Sequence, residues 1–288
     1  GIELTKNRDS YFDETYKDER RQAVRDLAEN FKDNPNLLIW GLGNEIDLTD
    51  ANIPEAWMFV NELAEIIKSI DTRHLVAAVI SHNKQSLNLI AEHAPALDLI
   101  GINSYGTIGK VEGMVKKSKY KGAYIITEWG PTGFWETSLT SWEAPLEQSS
   151  EEKKQIYEGR YNTFITASDA CLGSFVFLWG QKEERTPTWF SMFVESGVEG
   201  LPLNGEKTPQ VEAMQRLWTG EIPKETAPVI TDFTINDVRG INNIVIPQGI
   251  GFIASVSAFD REEEELTYVW EILKEATELG FGGSYEPR

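Results

Sequence analysis

Two glutamates draw attention because each closes an apolar run and has polar or aromatic neighbours. Glu45 ends the run Leu37-Leu38-Ile39-Trp40-Gly41-Leu42-Gly43-Asn44-Glu45, and Glu128 ends Ala123-Tyr124-Ile125-Ile126-Thr127-Glu128, just before Trp129-Gly130. Two carboxyl groups on different strands that face one pocket are what cleavage of a glycosidic bond requires. One is protonated and gives a proton to the leaving oxygen. The other is ionised and attacks the anomeric carbon or activates water. Taken singly, Glu45 and Glu128 each read equally well as a salt-bridge partner at the start of a loop; taken as a pair, the catalytic reading gains. Further polar and aromatic groups follow other apolar runs: His82-Asn83, Asn103-Ser104-Tyr105 and Trp179-Gly180-Gln181. His82 either lines the pocket or lies on a solvated loop, and the second is the commoner role for such a residue.

The elements that must position these groups alternate. Helical periodicity runs from Asp18 to Phe31, with Ala23, Val24, Leu27, Ala28 and Phe31 on one stripe. Asn34-Pro35 ends it. Leu37 to Gly43 has no alternation, as expected of a strand buried on both faces. Pro54 opens a helix whose stripe is Trp57, Val60, Leu63, Ala64, Ile67 and Ile70. Strands are then expected at His74 to Ile80, Leu97 to Asn103, Ala123 to Thr127 and Gly173 to Trp179. Helices are expected at Gln85 to Glu92, Lys110 to Lys119, Glu151 to Ala167 and Val211 to Trp218. This order predicts right-handed βαβ units and a parallel sheet. No Gly-x-Gly-x-x-Gly turn follows a strand, so a (β/α)8 TIM barrel is favoured over a dinucleotide-binding fold, with its site at the C-terminal ends of the strands.

After Gly220 the texture changes. Pro223, Pro228 and several threonines mark a linker, and short β-type runs follow at Val229 to Ile235, Asn243 to Ile246, Phe252 to Ala258 and Leu266 to Ile272. Ser255 to Asp260 and Leu266 to Trp270 read as a hairpin whose charged turn holds Glu262 to Glu265. The expected organisation is a barrel domain over 1–222 and a partial immunoglobulin-like β-sandwich over 223–288. The chain begins with Gly1 and closes on Gly282-Gly283-Ser284-Tyr285-Glu286-Pro287-Arg288, so both ends read as cut.

Composition narrows the functions. The 288 residues carry a formal net charge of −19, which makes nucleic acid an unfavourable partner. No apolar run reaches the length of a membrane span. The single cysteine, Cys171, forms no internal disulfide, and His74, His82 and His93 lack metal-ligand spacing. No metal or organic cofactor is expected. Nine tryptophans are many, and an acidic, Trp-rich chain suits sugar binding. Trp40, Trp57 and Trp218, within a strand or on helix stripes, read as core. Trp129, Trp135, Trp179 and Trp189 lie in or beside loops and read as sugar-facing. Trp135, Trp142 and Trp189 together suggest a platform for several sugar units.

Asn34 to Glu45 closely resembles the acid/base strand of the glycoside hydrolase family 2 TIM barrel, and Thr127-Glu128-Trp129-Gly130 resembles the nucleophile strand of the same clan of retaining glycosidases. In that clan the Asn-Glu pair ends barrel strand four and the nucleophile ends strand seven. Two strands intervene here, as the clan requires. The resemblance makes Glu45 the general acid/base and Glu128 the nucleophile. It places Asn44 on the sugar 2-hydroxyl, Tyr105 on the Glu128 carboxylate and Trp179 beneath the sugar ring; Asn103, Trp129, Trp135, Gln181 and His82, by their positions at or beside strand ends, are expected to line the site. Leu172 to Gln181 is similar to bacterial family 2-like proteins with a following Ig-like domain, and the layout is similar to the endo-β-1,3-glucanases of glycoside hydrolase family 158.

The resemblance implies a retaining β-glycosidase acting by double displacement on a β-linked glucan or oligosaccharide, and the tryptophan platform of Trp135, Trp142 and Trp189 favours endo action. An exo-acting β-galactosidase-like enzyme, a transglycosylase and a carbohydrate-binding protein stand as alternatives; an adhesion module built on the Ig-like tail is a further non-enzyme reading. A polysaccharide substrate implies a secreted, periplasmic or cell-surface location. The sequence departs from the clan in one respect. With Glu45 ending strand four, strands one and two are missing, Gly1 to Leu4 stands for strand three, and the clan's Arg on strand two and His on strand three have no counterpart. A longer parent chain, or a second chain completing the barrel, is therefore expected.

Overall fold

The computed structural model describes residues 1–195, 204–240, 242, 244–280 and 286. Its elements in order are α1 (Glu14–Phe31), β1 (Ile39–Asn44), α2 (Pro54–Ile70), β2 (Leu75–Ile80), α3 (Lys84–His93), β3 (Leu99–Asn103), α4 (Val111–Lys117), β4 (Tyr124–Trp129), α5 (Ser150–Arg160), β5 (Cys171–Val176), β6 (Phe193–Glu195), β7 (Asn204–Lys207), α6 (Pro209–Thr219), β8 (Val229–Ile235), β9 (Val238–Arg239) and β10 (Ala254–Phe259). They fall into two compact units, one of residues 1–129 and 163–175, the other of 130–162 and 176–288.

The first unit is built on a five-stranded sheet in the order β1-β2-β3-β4-β5, with β1–β2, β2–β3 and β3–β4 parallel. The first four strands fall on the expected apolar runs; the fifth, expected over Gly173 to Trp179, begins at Cys171 and ends at Val176. Ile2 forms an isolated parallel bridge to Leu42 on the outer edge of β1, and Ile2 and Leu4 are buried. Ala77, Leu99 and Ile125 pack together on one sheet face with Ile39 beside them. The opposite face meets the helices. There Trp40 donates its indole N–H to Asp71 Oδ2 at 2.9 Å, and Asp71 also accepts from the Arg73 N–H (2.9 Å) and meets His74 Nδ1 (2.6 Å). This fully buried carboxyl ties the end of α2 to β1. Burial alone would raise its pKa, but these donors reverse the effect and hold it well below the usual carboxylate range.

Two irregularities decide which face the strand ends serve. Successive residues of a strand point to opposite faces, so plain alternation sends Asn44 to the face of Trp40 and Leu42, and Glu128 to the face of Tyr124 and Ile126. The β1–β2 register slips at Gly43, so that Leu42 pairs with Ala78 but Asn44 with Val79. The β3–β4 register slips at Thr127, so that Ile102 pairs with Ile126 but Asn103 with Glu128. Each slip is a bulge of one residue, and each turns the following side chain over. The first needs glycine, because Gly43 has φ +70° and an added Cβ would lie 3.3 Å from Ile46 Cγ2. The second needs space on β3: a Cβ on Gly101 would come within 2.6 Å of Thr127 Cγ2.

In the second unit, β8 pairs antiparallel with both β9 and β10. The hairpin expected from 255–260 and 266–270 is not formed. β10 pairs with β8, and 266–272 has no strand pairing. Trp270 instead packs its ring 6.2 Å from that of Phe233 on β8. The four consecutive carboxylates Glu262 to Glu265 make a poor tight turn, whereas β8 offers β10 a partner with long complementary register. Of the run Asn243 to Ile246, Asn243 lies outside the described residues and 244–246 form no strand. Of the closing run Gly282 to Arg288, only Glu286 is described. The helix expected over Glu151 to Ala167 is α-helical only to Arg160 and continues as a π-helical turn, Tyr161–Ile165.

Replacing Gly43 with Ala places a side chain at positive φ against Ile46. The expected result is a loss of about 1–2 kcal/mol in chemical denaturation, together with displacement of the Asn44 amide resonance from its native position.

Candidate active site

The first unit brings Asn44, Glu45, His82, Asn103, Tyr105 and Glu128 to the C-terminal ends of adjacent strands. Glu45 follows β1 directly, in the left-handed region (φ 53°, ψ 40°), and opens the short 3-10 turn Ile46–Leu48. Its backbone N–H donates to Val79 O at 2.9 Å, which pins the turn to β2. Lys6 Nζ lies 4.0 Å from its Oε2. Burial pushes the Glu45 carboxyl above its ordinary pKa; a hydrogen bond from Asn103 and the charge of Lys6 oppose this, and the charge of Asp47 adds to it. Protonated Glu45 is therefore favoured at higher pH than a solvated glutamic acid.

Asn103 is the hub. Its Nδ2 donates to Asn44 Oδ1 at 3.1 Å, and its Oδ1 accepts from Thr127 Oγ1 at 2.7 Å. One amide thus joins the ends of β1, β3 and β4, and it is 3% exposed. Glu128 follows Thr127. Its Oε2 accepts a hydrogen bond from the Tyr105 hydroxyl at 3.1 Å, and its backbone carbonyl accepts from the Ser104 N–H at 2.9 Å. His82 Nδ1 sits 3.1 Å from Ser104 Oγ, so this histidine bridges the loops after β2 and β3. The group combines a proton donor favoured by burial with a carboxylate steadied by a phenol, which is equipment for acid/base and nucleophilic chemistry.

The tryptophans separate differently from their sequence assignments. Trp40 and Trp57 are core, as expected. Trp218, expected in the core, is 48% exposed: it lies in the last turn of α6, past the buried residues 209–214, with its ring tilted against that of Trp179. Trp129 is fully buried, so its ring fills the interior and offers no open face for a sugar. Trp189 is also buried and donates its indole N–H to Thr132 O at 3.1 Å. Trp135 and Trp179 are about half exposed, and they belong to the second unit together with the half-buried Gln181. Trp179 lies three residues beyond the end of β5, packed edge-on against Phe193 with centroids 5.4 Å apart.

Sequence reasoning passed over Thr127, Ser104, Asp47 and Lys6. Thr127 and Ser104 stood inside the quoted motifs and could have been found there; nothing in the sequence brings Lys6 to Glu45. Among the described residues, no group of three His, Cys, Asp or Glu side chains could hold a metal ion, and no helix is long and apolar enough to cross a membrane.

No protein-family model matches the chain, and no curated protein matches its sequence. Solved structures do match. A β-glucuronidase 2 from Bacteroides uniformis, covalently bound to cyclophellitol-6-carboxylate aziridine, superposes with a TM-score of 0.56 at 13% identity, over 85% of this chain and 33% of its own. A β-glucuronidase from an uncultured Clostridium species gives 0.52 at 14% identity, over 72% and 36%. A glycoside hydrolase family 2 β-galacturonidase from Eisenbergiella tayi, bound to galacturonate, gives 0.50 at 15% identity, over 72% and 37%. The chain spans about a third of the length of these proteins, and at such identities the likeness is one of fold.

Asn103 contributes a hydrogen bond that favours ionised Glu45. Substituting Asn103 by Ala is expected to move the Glu45 titration midpoint upward, read by carbon-13 NMR of labelled glutamate side chains.

Proposed function

We propose that the chain carries the catalytic carboxyl groups of a retaining β-glycosidase that cleaves β-linked glucan or oligosaccharide. One observation carries the reading. Bulges at the ends of β1 and β4 turn Asn44 and Glu128 over, Asn103 bonds Asn44 and the half-buried, protonation-prone Glu45, and Glu128 accepts from the Tyr105 hydroxyl, all at the C-terminal ends of a parallel sheet. In the first step Glu128 attacks the anomeric carbon while Glu45 transfers its proton to the departing glycosidic oxygen. In the second, Glu45 takes a proton from water, whose oxygen displaces Glu128 from the sugar. Burial suits Glu45 to the first role. A donor hydrogen bond stabilises a charged carboxylate, which suits Glu128 to the second. Asn44 is assigned to the 2-hydroxyl, where a contact strengthens as the transition state forms.

The exposed rings of Trp135, Trp142 and Trp179 support binding of several sugar units and hence endo action. The burial of Trp189 removes one member of that platform. The second reading, an exo-acting enzyme, draws support from the fold likeness to proteins named β-glucuronidase and β-galacturonidase. A polymeric substrate places the enzyme outside the cytoplasm or at the cell surface.

A crystal structure is expected to place the two carboxyl groups about 5–5.5 Å apart; a separation of about 6.5–9.5 Å would speak for inversion and against this reading. Glu128→Gln is expected to abolish hydrolysis. Glu45→Ala is expected to lower kcat/KM by about 10²- to 10⁴-fold on substrates with poor leaving groups, and far less on activated aryl glycosides. Equal losses on both substrates would remove Glu45 from the role of acid. Product lengths from a polymeric β-glucan separate endo from exo action.

A further inference from the structure

Asp47, two residues past Glu45, has no part in the chemistry just described, yet it is only 5% exposed. An enclosed carboxyl group requires partners, and Asp47 has three. Its Oδ1 accepts from the Ser81 N–H at 3.0 Å, and its Oδ2 accepts from Ser81 Oγ at 2.9 Å and Ser86 Oγ at 2.8 Å. Ser81 is the first residue after β2, and Ser86 lies in the first turn of α3. The network continues inward: Asn52 Nδ2 donates to Ser86 Oγ at 3.2 Å, and fully buried Trp57 on α2 donates to Asn52 Oδ1 at 2.9 Å. The turn Ile46–Leu48, and with it the left-handed backbone of Glu45, is bolted to α2, β2 and α3 through one side chain.

A neutral amide could supply much of the same hydrogen bonding. What a carboxylate adds is charge, placed where burial limits screening. We propose that Asp47 is a positioning residue for Glu45: its carboxylate clamps the Glu45 turn against the β2–α3 loop and sets a negative charge two residues along the chain from Glu45. The proposal rests on the reading of Glu45 as acid/base. The charged groups that act on Glu45 are Asp47 on its own turn and Lys6 from the N-terminal segment; Asn103 of β3 faces it as a neutral donor. Lys6 works against Asp47, so Glu45 stands between a fixed anion that holds its proton and a more exposed cation that releases it.

Asp47→Asn separates clamp from charge. It keeps the shape, leaves an oxygen for the Ser81 N–H, and faces hydroxyls that rotate to accept from an amide. In the full chain, the carbon-13 titration midpoint of Glu45, assigned with Glu45→Gln, is expected to fall. Lys6→Ala is expected to raise it. With an aryl β-glycoside of poor leaving group, the alkaline limb of kcat/KM for Asp47→Asn moves to lower pH together with that midpoint. An unmoved midpoint in a variant with native circular dichroism overturns the proposal. Ser86→Ala tests the clamp with the charge left in place, whether or not Asp47→Asn folds. A several-fold fall in kcat at unchanged KM is expected, and unchanged kcat overturns the positioning role. A shifted Glu45 midpoint in Asp47→Asn, in a protein that cleaves no β-glycoside, upholds the coupling of Asp47 to Glu45 and overturns the glycosidase reading instead.

Discussion

A strand in a parallel sheet covered on one face by helices has a strict consequence: every second residue is committed to the helix side. Asn44 and Glu128 stand at positions that this rule assigns to the wrong face. The extra residue at Gly43 and the extra residue at Thr127 reverse the assignment at the last turn of each strand. All else in the site depends on those reversals. Without the first, Asn44 would lie with Trp40 and Leu42 and could not reach Asn103. Without the second, Glu128 would lie with Tyr124 and Ile126, away from the Tyr105 hydroxyl. The strands therefore remain regular where they build the core around Ala77, Leu99 and Ile125, and depart from regularity only where they build the site.

The surroundings of Glu45 pull its proton in opposite directions. Burial and the Asp47 charge favour the proton; Lys6 and the Asn103 amide favour its loss. Each comes from a different element: the loop after β1, the N-terminal segment, and β3. A group balanced in this way is sensitive to modest changes in any of them. The buried Asp71, by contrast, is overwhelmingly held by donors, and its role is to fix α2 and β1 as a frame.

The frame was legible in the residues. Uninterrupted apolar runs such as Leu37 to Gly43 mark strands buried on both faces, and Pro54 marks a helix start; both features are local. The pair Asn44-Glu45 and the partner Glu128 were legible because polar groups at the ends of apolar runs are conspicuous. The bulges were not legible, because a run with no alternation hides which residue faces which side; Gly43 was the one clue, and its positive φ is visible only in the fold. The tryptophans misled where exposure was judged from neighbouring loop residues. Trp129 is buried despite its loop-side position, Trp189 is met by Thr132 and Phe134, distant in sequence, and Trp218 projects from a helix whose stripe suggested burial. In the second unit, β10 chose β8 over the adjacent run at Leu266, a competition between distant partners that local pattern does not settle.

The Asn103 amide has one further consequence. Thr127 donates to it and it donates to Asn44, so the three groups form a hydrogen-bonded series with a single direction, from β4 to β1. Dipoles aligned head to tail polarise one another. The series ends on the Asn44 carbonyl oxygen and thereby orients the Asn44 side chain, turning its NH2 away from Asn103. An electron-rich oxygen arriving there meets a donor already aligned and sharpened by its predecessors. The sheet thus works as a small electrical polarity as well as a scaffold, with its acceptor end on β4 and its donor end beside Glu45.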